Sequence, residues 1–246
     1  HNRRSGWGFI MPDFETASFG TYAFDRFTVR KDLILNAGVR YDHVRTSIHS
    51  YRDWFKTPVS ATDSVFKERS EDLRRSFNSL TWSAGVNYSV GQWILKANVG
   101  KSFRVPIPKE LGTDGVNYHI FRYEKGNPGL NPEESYQLDA GIHWGNDRVT
   151  VQFDPYLNYF PNYIYMNPTP DYYEGLQWYY YTQSRVIRWG FELQTDWKIL
   201  PSLDAELKGE YLYAEQLSGE KKGYTLPFST PWSADATLKY GFCRKK

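Results

Sequence analysis

Apolar and polar residues alternate one for one along most of this 246-residue chain. In LILNAGVRYD, Leu33, Leu35, Ala37, Val39 and Tyr41 fall on one face of an extended backbone, with Asn36, Gly38, Arg40 and Asp42 on the other. LTWSAGVNYSV sets Leu80, Trp82, Ala84, Val86, Tyr88 and Val90 against Thr81, Ser83, Gly85, Asn87 and Ser89. SYQLDAGIHW, WILKANVG, RVTVQF, VIRWGFELQTDWKI, LDAELKGEYLY and PWSADATLKYGF repeat the scheme. Strand side chains point alternately to opposite faces, so this period predicts strands with one apolar side. FGTYAFDRFTV, near the start, is less cleanly phased. With it, the pattern predicts about nine to ten strands.

The connections alternate in length. Short ones at Arg30–Asp32, Gly91–Gln92, Gly145–Asp147 and Leu200–Ser202 suit tight hairpins, whereas residues 43–78, 104–133, 160–184 and 214–231 are predicted long loops. Every second connection being long brings the long loops out at one end of an antiparallel up-and-down meander.

A soluble sandwich and a membrane barrel both have one apolar face, and strand length separates them. From Ile187 to Ile199 is twelve steps. At ~3.3 Å per residue and a tilt of about 40°, that strand rises roughly 30 Å, enough for an outer-membrane apolar band of about 25 Å. Aromatic placement agrees. Trp93, Trp144 and Trp197 lie beside short turns, while Tyr41, Trp82, Tyr136, Tyr211, Tyr213 and Trp232 lie toward the long loops, as two bilayer interfaces would select. Lys101 continues an apolar face eight steps from Trp93, so it is expected near the far interface, where a charge costs little. The fold class read from these features is all-β, a transmembrane antiparallel up-and-down β-barrel.

Composition modifies this picture little. The formal charge of +2, with no dense basic run, gives no nucleic-acid surface. HNRRSGWGFI has no apolar core of the kind a secretory signal needs, and the single cysteine, Cys243, excludes an internal disulfide framework. A mean hydropathy of −0.64 does not argue against a barrel, because alternating residues cancel.

RYEKGNPGLNPEESYQLDAGIHW resembles the stretch of TonB-dependent outer-membrane receptors in which a GNP-x-L-x-PE-x-S loop enters a strand. KSFRVPIPKEL resembles their SFR-x-P-x-x-x-EL strand end, LILNAGVRYDH their RYD strand, and NYFPNYIYMNPTP with RWGFELQTDWKI their N-YI and G-x-E strands, all in family order. The resemblance implies a 22-strand barrel around an N-terminal plug. Such a receptor binds a scarce nutrient (siderophore, haem, metal, vitamin or oligosaccharide) and imports it with energy supplied by TonB. The expected partners are the lipid bilayer, the receptor's own plug, the TonB complex through it, and a small-molecule or metal-chelate substrate, in the bacterial outer membrane. Residues 1–246 carry no plug or TonB box, so the chain is expected to be one later-middle segment of the barrel domain. The alternatives are a small self-contained barrel, acting as a passive pore or a loop-borne enzyme, and a soluble carbohydrate-binding β protein.

No Walker loop, CxxC pair, HExxH or nucleophile elbow occurs, so no catalytic residue or cofactor is assigned. The ligand-binding candidates sit in the predicted long loops. Asp114, His119, Arg122 and Glu124 combine imidazole and carboxylates suited to a metal, though their spacing matches no known ligand pattern, and the metal stays unknown. Tyr163, Tyr165, Tyr172, Tyr173 and Trp178 offer rings for an aromatic or sugar ligand, against plain loop packing. Arg40, Asp139, Arg188 and Glu192 are expected to face the lumen, as solvated or plug-contacting wall or as substrate path.

Overall fold

The computed structural model describes residues 11–227 and 229–242, so HNRRSGWGFI and Cys243 lie outside the described residues. In chain order the elements are β1 (Phe14–Arg30), β2 (Leu33–Ile48), β3 (Tyr51–Pro58), β4 (Ser64–Ser70), β5 (Leu73–Val90), β6 (Trp93–Arg104) and α1 (Pro108–Gly112). They continue as β7 (Asp114–Asn117), β8 (Arg122–Lys125), β9 (Glu133–Gly145), β10 (Val149–Tyr173), β11 (Leu176–Leu200), β12 (Leu203–Gln216) and β13 (Trp232–Tyr240). Nine of them form a continuous antiparallel meander, β1-β2-β5-β6-β9-β10-β11-β12-β13. β1 and β13 are its two edges, so the sheet is an open wall among the described residues.

The pairing register turns the sequence alternation into two faces. One row on the apolar face runs Ala37, Ala84, Val99, Leu138, Leu157, Trp189, Tyr213, each opposite the next. The aromatic residues form two bands that step diagonally through such rows: Tyr41, Trp82, Tyr136, Trp189 and Trp232 above, and Trp93, Trp144, Trp197 and Tyr240 below. A tilted barrel requires this stagger, because an interface of constant height crosses slanted strands at shifting positions. Tyr136 and Trp144, Trp189 and Trp197, and Trp232 and Tyr240 are each eight residues apart. Eight residues rise roughly 20 Å after tilt, close to the apolar band of an outer membrane. β1 is where the phase blurs: Asp25 lies opposite Ala37 on the apolar face, and Tyr22 lies opposite Arg40 on the polar one.

The short turns fall where the pattern predicts them, but the long connections differ. Residues 160–184 are not a loop. β10 and β11 run 25 residues each and are joined by Glu174 (φ 49) and Gly175 (φ 79), a two-residue turn with both φ positive, as the right-handed strand twist prefers. The ladder continues past the membrane in spite of Pro161, Pro168 and Pro170, with register shifts between Phe160 and Tyr163 and between Pro168 and Tyr172. Residues 43–78 are likewise mostly strand, because β2 and β5 extend upward and the separate β3–β4 hairpin fills the gap between them. Residues 104–133 hold α1 and the β7–β8 hairpin, and β8 adds in parallel to the top of β11 at Trp178–Tyr180. Between the two aromatic bands the wall is one layer thick; the packed core lies above the upper one. Ile48, Leu111, Leu130, Ile164 and Tyr181 form one cluster there, and Phe160, Val186, Ala214 and Leu226 another.

Candidate functional site

Two polar constructions hold the part above the rim together. The first is at the rim itself. Arg104, at the end of β6, forks between Glu110 of α1 (2.9 Å) and Glu133 at the start of β9 (3.2 Å). Glu110 also caps the helix by accepting the Ile107 N–H at 2.9 Å. Gly126 and Asn127 donate their N–H groups to the Thr113 and Glu110 carbonyls at 2.7 and 2.8 Å. A side chain at Gly126 would meet the backbone of Leu111 and Gly112 at 2.7 Å, so only glycine lets the two segments approach this closely. Glu133 also accepts the Ile164 N–H at 2.7 Å, the Asn162 side chain bonds the Pro132 carbonyl, and Gln183 exchanges two bonds with Asn131. The quoted SFRVP, KEL, GNPGLNPE and NYI stretches therefore meet in one knot, far apart in sequence and adjacent in space.

The second construction centres on Tyr123, which is fully buried. Its ring stacks on Trp178 (5.5 Å) and tilts against Tyr173 (4.8 Å), and Lys67 Nζ lies over both Tyr123 and Tyr173. Its hydroxyl donates to Asp114 at 2.6 Å and accepts from Lys67 at 2.7 Å. Burial pushes the phenol far above its ordinary value, reinforced by the Asp114 charge. Burial also lowers Lys67, opposed in part by Asp114. Arg69 joins the cluster through Asp53 at 2.8 Å, a pair whose side chains are 3 % and 0 % exposed. One residue further on, Glu124 meets Lys109 (2.7 Å), Arg122 (2.9 Å) and the Asn117 amide (2.9 Å). Burial alone would raise the Glu124 carboxyl; the hydrogen bonds from Lys109, Asn117 and Arg122 outweigh it and hold the group below the usual carboxylate range.

These contacts sort the sequence candidates. Asp114, Arg122, Glu124, Tyr173 and Trp178 come together, but each is engaged by protein partners. Tyr163 and Tyr165 lie apart on β10: Tyr163 packs edge-on against Phe160, and Tyr165 is half-buried opposite Thr182. All five aromatic candidates are strand residues or strand ends, not loop residues. His119 and Tyr172 are different. His119 is exposed at the β7–β8 tip among exposed Tyr118, Ile120 and Phe121, and Tyr172 is exposed at the β10–β11 tip. Among the described residues no group of three or more His, Cys, Asp or Glu is arranged to hold a metal. Lys67, Arg69 and Asp53, which complete the buried cluster, carried no signal in the sequence, because their partners are remote along the chain.

On the polar face of the wall Arg40 is clamped to Asp42 by two hydrogen bonds of 2.7 and 2.6 Å. Asp139 accepts from the Gln137 amide at 2.8 Å. Arg188 stands opposite Asn158, and Glu192 stands opposite Asp154 on one side and Glu210 on the other. Asp154 is in turn held by His143 at 2.7 Å, and Lys96, Arg188 and Lys208 share this face, so the three carboxylates of the row lie in a surface of mixed charge.

A staggered antiparallel sheet belted by two aromatic bands fits a stretch of the wall of a transmembrane β-barrel. The family model "TonB dependent receptor-like, beta-barrel" matches residues 3–243, and the chain belongs to that family, whose members are non-enzymatic transporters of the bacterial outer membrane. Among solved structures the fold is similar to the copper transporter OprC, with a TM-score of 0.77 and 16% identity over 94% of this chain and 34% of that one. It is also similar to the Serratia marcescens hemophore receptor HasR, solved in complex with its hemophore HasA and heme (TM-score 0.67, 21% identity, 86% of this chain and 36% of that one). A third is the ferric yersiniabactin uptake receptor FyuA of Yersinia pestis (TM-score 0.63, 14% identity, 92% and 31%). At these identities the likeness is one of fold, and the chain spans about a third of the length of the receptors it matches. Among curated proteins none matches the chain in sequence.

Proposed function

We propose that this chain is one segment of the wall of a larger receptor barrel, which captures a scarce nutrient outside the cell and imports it with TonB-supplied energy. The family match along residues 3–243 carries this reading. The open edges at β1 and β13 support it, since a membrane wall must pair every strand with a neighbour. On this reading the polar face, with Arg40, Asp139, Arg188 and Glu192, lines the lumen and meets the receptor's plug. The substrate is a small molecule or metal chelate, of the class spanning siderophores, haem, metals, vitamins and oligosaccharides.

Within the part that stands above the upper aromatic band, the crown, the first ligand contacts fall to the tips that protein partners leave free, His119 and Tyr172, while Asp114, Arg122, Glu124, Tyr173 and Trp178 hold the tips in place. Imidazole and phenol are ligands a chelated transition metal accepts, and both sit on exposed, aromatic-flanked turns. The test is uptake by the full-length receptor in cells that lack other importers, with and without TonB, across a panel of metal chelates. Import that vanishes without TonB, and a substrate affinity that falls at least tenfold in His119→Ala or Tyr172→Ala, support the reading. Import independent of TonB would overturn it. Unchanged affinity in both variants would reassign the ligand contacts while leaving transport standing.

A further inference from the structure

Among the described residues, Asp25 is the one charged side chain on the apolar face between the two aromatic bands. It lies opposite Ala37 of β2. Ala37 is four residues below Tyr41 of the upper band and four above Leu33, which pairs with Tyr88 near the β5–β6 turn. Four residues rise roughly 10 Å at the tilt of a barrel, so Asp25 stands near the middle of an apolar band of about 25 Å. An ionisable side chain at that depth is costly to keep, and where one is kept it has a partner or a task.

Three sides of Asp25 are apolar. Ala37 stands directly across, Leu35 and Val39 are its diagonal neighbours on β2, and Ala23 and Phe27 flank it along β1. Among the described residues its carboxylate has one partner, the backbone N–H of Arg26 at 2.8 Å, which leaves the negative charge uncancelled. The fourth side is the open edge of β1. A membrane wall leaves no strand edge bare, so in the intact barrel another strand lies along it. β13 does not suit that place: the nine-strand meander sends β1 and β13 in the same direction, whereas every pairing within the wall is antiparallel.

Charge selects what that strand brings. A residue directly across from Asp25 has its Cβ about 4.5–5.5 Å away, and the two diagonal ones lie about 7–8 Å away. From all three positions a lysine or arginine reaches the carboxylate. A neutral donor would satisfy an oxygen but leave the charge in hydrocarbon. The rest of β1 shows what such a pair does. Phe19, Thr21, Ala23 and Phe27 share the face of Asp25, and Gly20, Tyr22, Phe24 and Thr28 share the other, so neither face is clearly the apolar one. Hydrophobic patterning fixes register only where the two faces differ. Along β1 it is weak, and a paired charge in apolar surroundings selects one register over its neighbours.

We propose that Asp25 is half of a lipid-facing ion pair that sets the register between β1 and the receptor strand on its open edge, the other half being a lysine or arginine of that strand. The pair rests on the reading of the chain as one segment of a larger barrel. The test is disulfide trapping in the full-length receptor in outer membranes, in a Cys243→Ser background. Thr21→Cys is combined with single cysteines at successive outward positions of each strand outside residues 1–246, and separately with Ala234→Cys or Ala236→Cys of β13. The expected result is one outside strand that cross-links at one position, in a register that sets a lysine or arginine across from Asp25 or diagonal to it. In Asp25→Asn the yield at that position falls at least threefold and adjacent outward positions gain. Exchanging the charges, Asp25→Lys with aspartate in place of the partner cation, restores the single position. No lysine or arginine at those places, or an unchanged pattern in Asp25→Asn, would overturn the pair and leave the larger barrel standing. Cross-linking to β13 instead would overturn the larger barrel, and the pair with it. If Asp25→Asn does not assemble, the charge-exchanged receptor decides: its assembly supports the pair, and its failure overturns it.

Discussion

Leu138, on the apolar face of the wall between the two aromatic bands, is 51% exposed, and Glu124, in the crown, is 0% exposed. The pair inverts the usual partition of a globular protein, and the solvent explains why. The wall meets hydrocarbon on one face, so its large apolar side chains need no protein cover, and its backbone bonds are satisfied strand to strand. The crown stands in water, where the tops of β2, β5, β10 and β11 continue the sheet and the β3–β4 and β7–β8 hairpins join or pack beside it. It gathers short hairpins around buried ions and rings: Arg69 with Asp53, Lys109 and Arg122 with Glu124, and Tyr123 among Lys67, Tyr173 and Trp178. The wall's stability is spread over its ladder, whereas the crown's is concentrated in a few polar contacts. Single substitutions should therefore act differently in the two regions.

The largest effect is expected where the crown loses half of a buried pair. Asp53→Ala strands Arg69, and should cost the crown about 3–5 kcal/mol. Amide exchange across residues 51–70 and 114–125 of the full-length receptor should accelerate while the protection of β9–β12 below the bands stays the same; acceleration everywhere would show that wall and crown are one cooperative unit. Next comes the wall. Ala140→Arg places a charge on the lipid face midway between Tyr136 and Trp144 and should cost about 2–4 kcal/mol in bilayer unfolding measurements. Gln137→Arg, on the polar face of the same strand, should stay within about 0.5 kcal/mol. Equal costs would mean that the face assignment is wrong.

A smaller loss, about 1–3 kcal/mol, is expected for Tyr123→Phe, which keeps the ring stack and removes the hydroxyl between Lys67 and Asp114. The smallest test is one of pH. The Glu124 carboxyl is held below its ordinary 4.5, so its contribution is fully present above that value and is lost as pH falls through the lower folded value. Exchange in the β7–β8 hairpin should rise on acidification below about pH 4.5 in the wild type and respond less in Glu124→Gln. An identical acid response in both would remove Glu124 from the account.

The wall was legible residue by residue. The alternation in LILNAGVRYD, LTWSAGVNYSV and RWGFELQTDWKI sorted these residues into the same two sets that the pairing register lines up, and the tryptophans near the short turns fall in the lower band. The crown was legible only in part. Its aromatic cluster was visible in DYYEGLQWYY, yet it reads as a loop because periodicity cannot tell a tall hairpin from a loop rich in strand-forming residues. Asp114, Arg122 and Glu124 stand out as chemistry-bearing residues, but nothing local reveals that Lys67, Arg69 and Lys109 neutralise them.

By itself, then, the sequence determined the wall strands between the bands and the split of their residues into an apolar and a polar face, because the pleat repeats every two residues and each residue answers to the solvent beside it. The tertiary structure alone decided which loop residues are free to meet a ligand. Lys67 reaches Tyr123 across 56 residues and Arg75 reaches Leu130 across 55, and such contacts form only once the meander has brought the hairpin tips together.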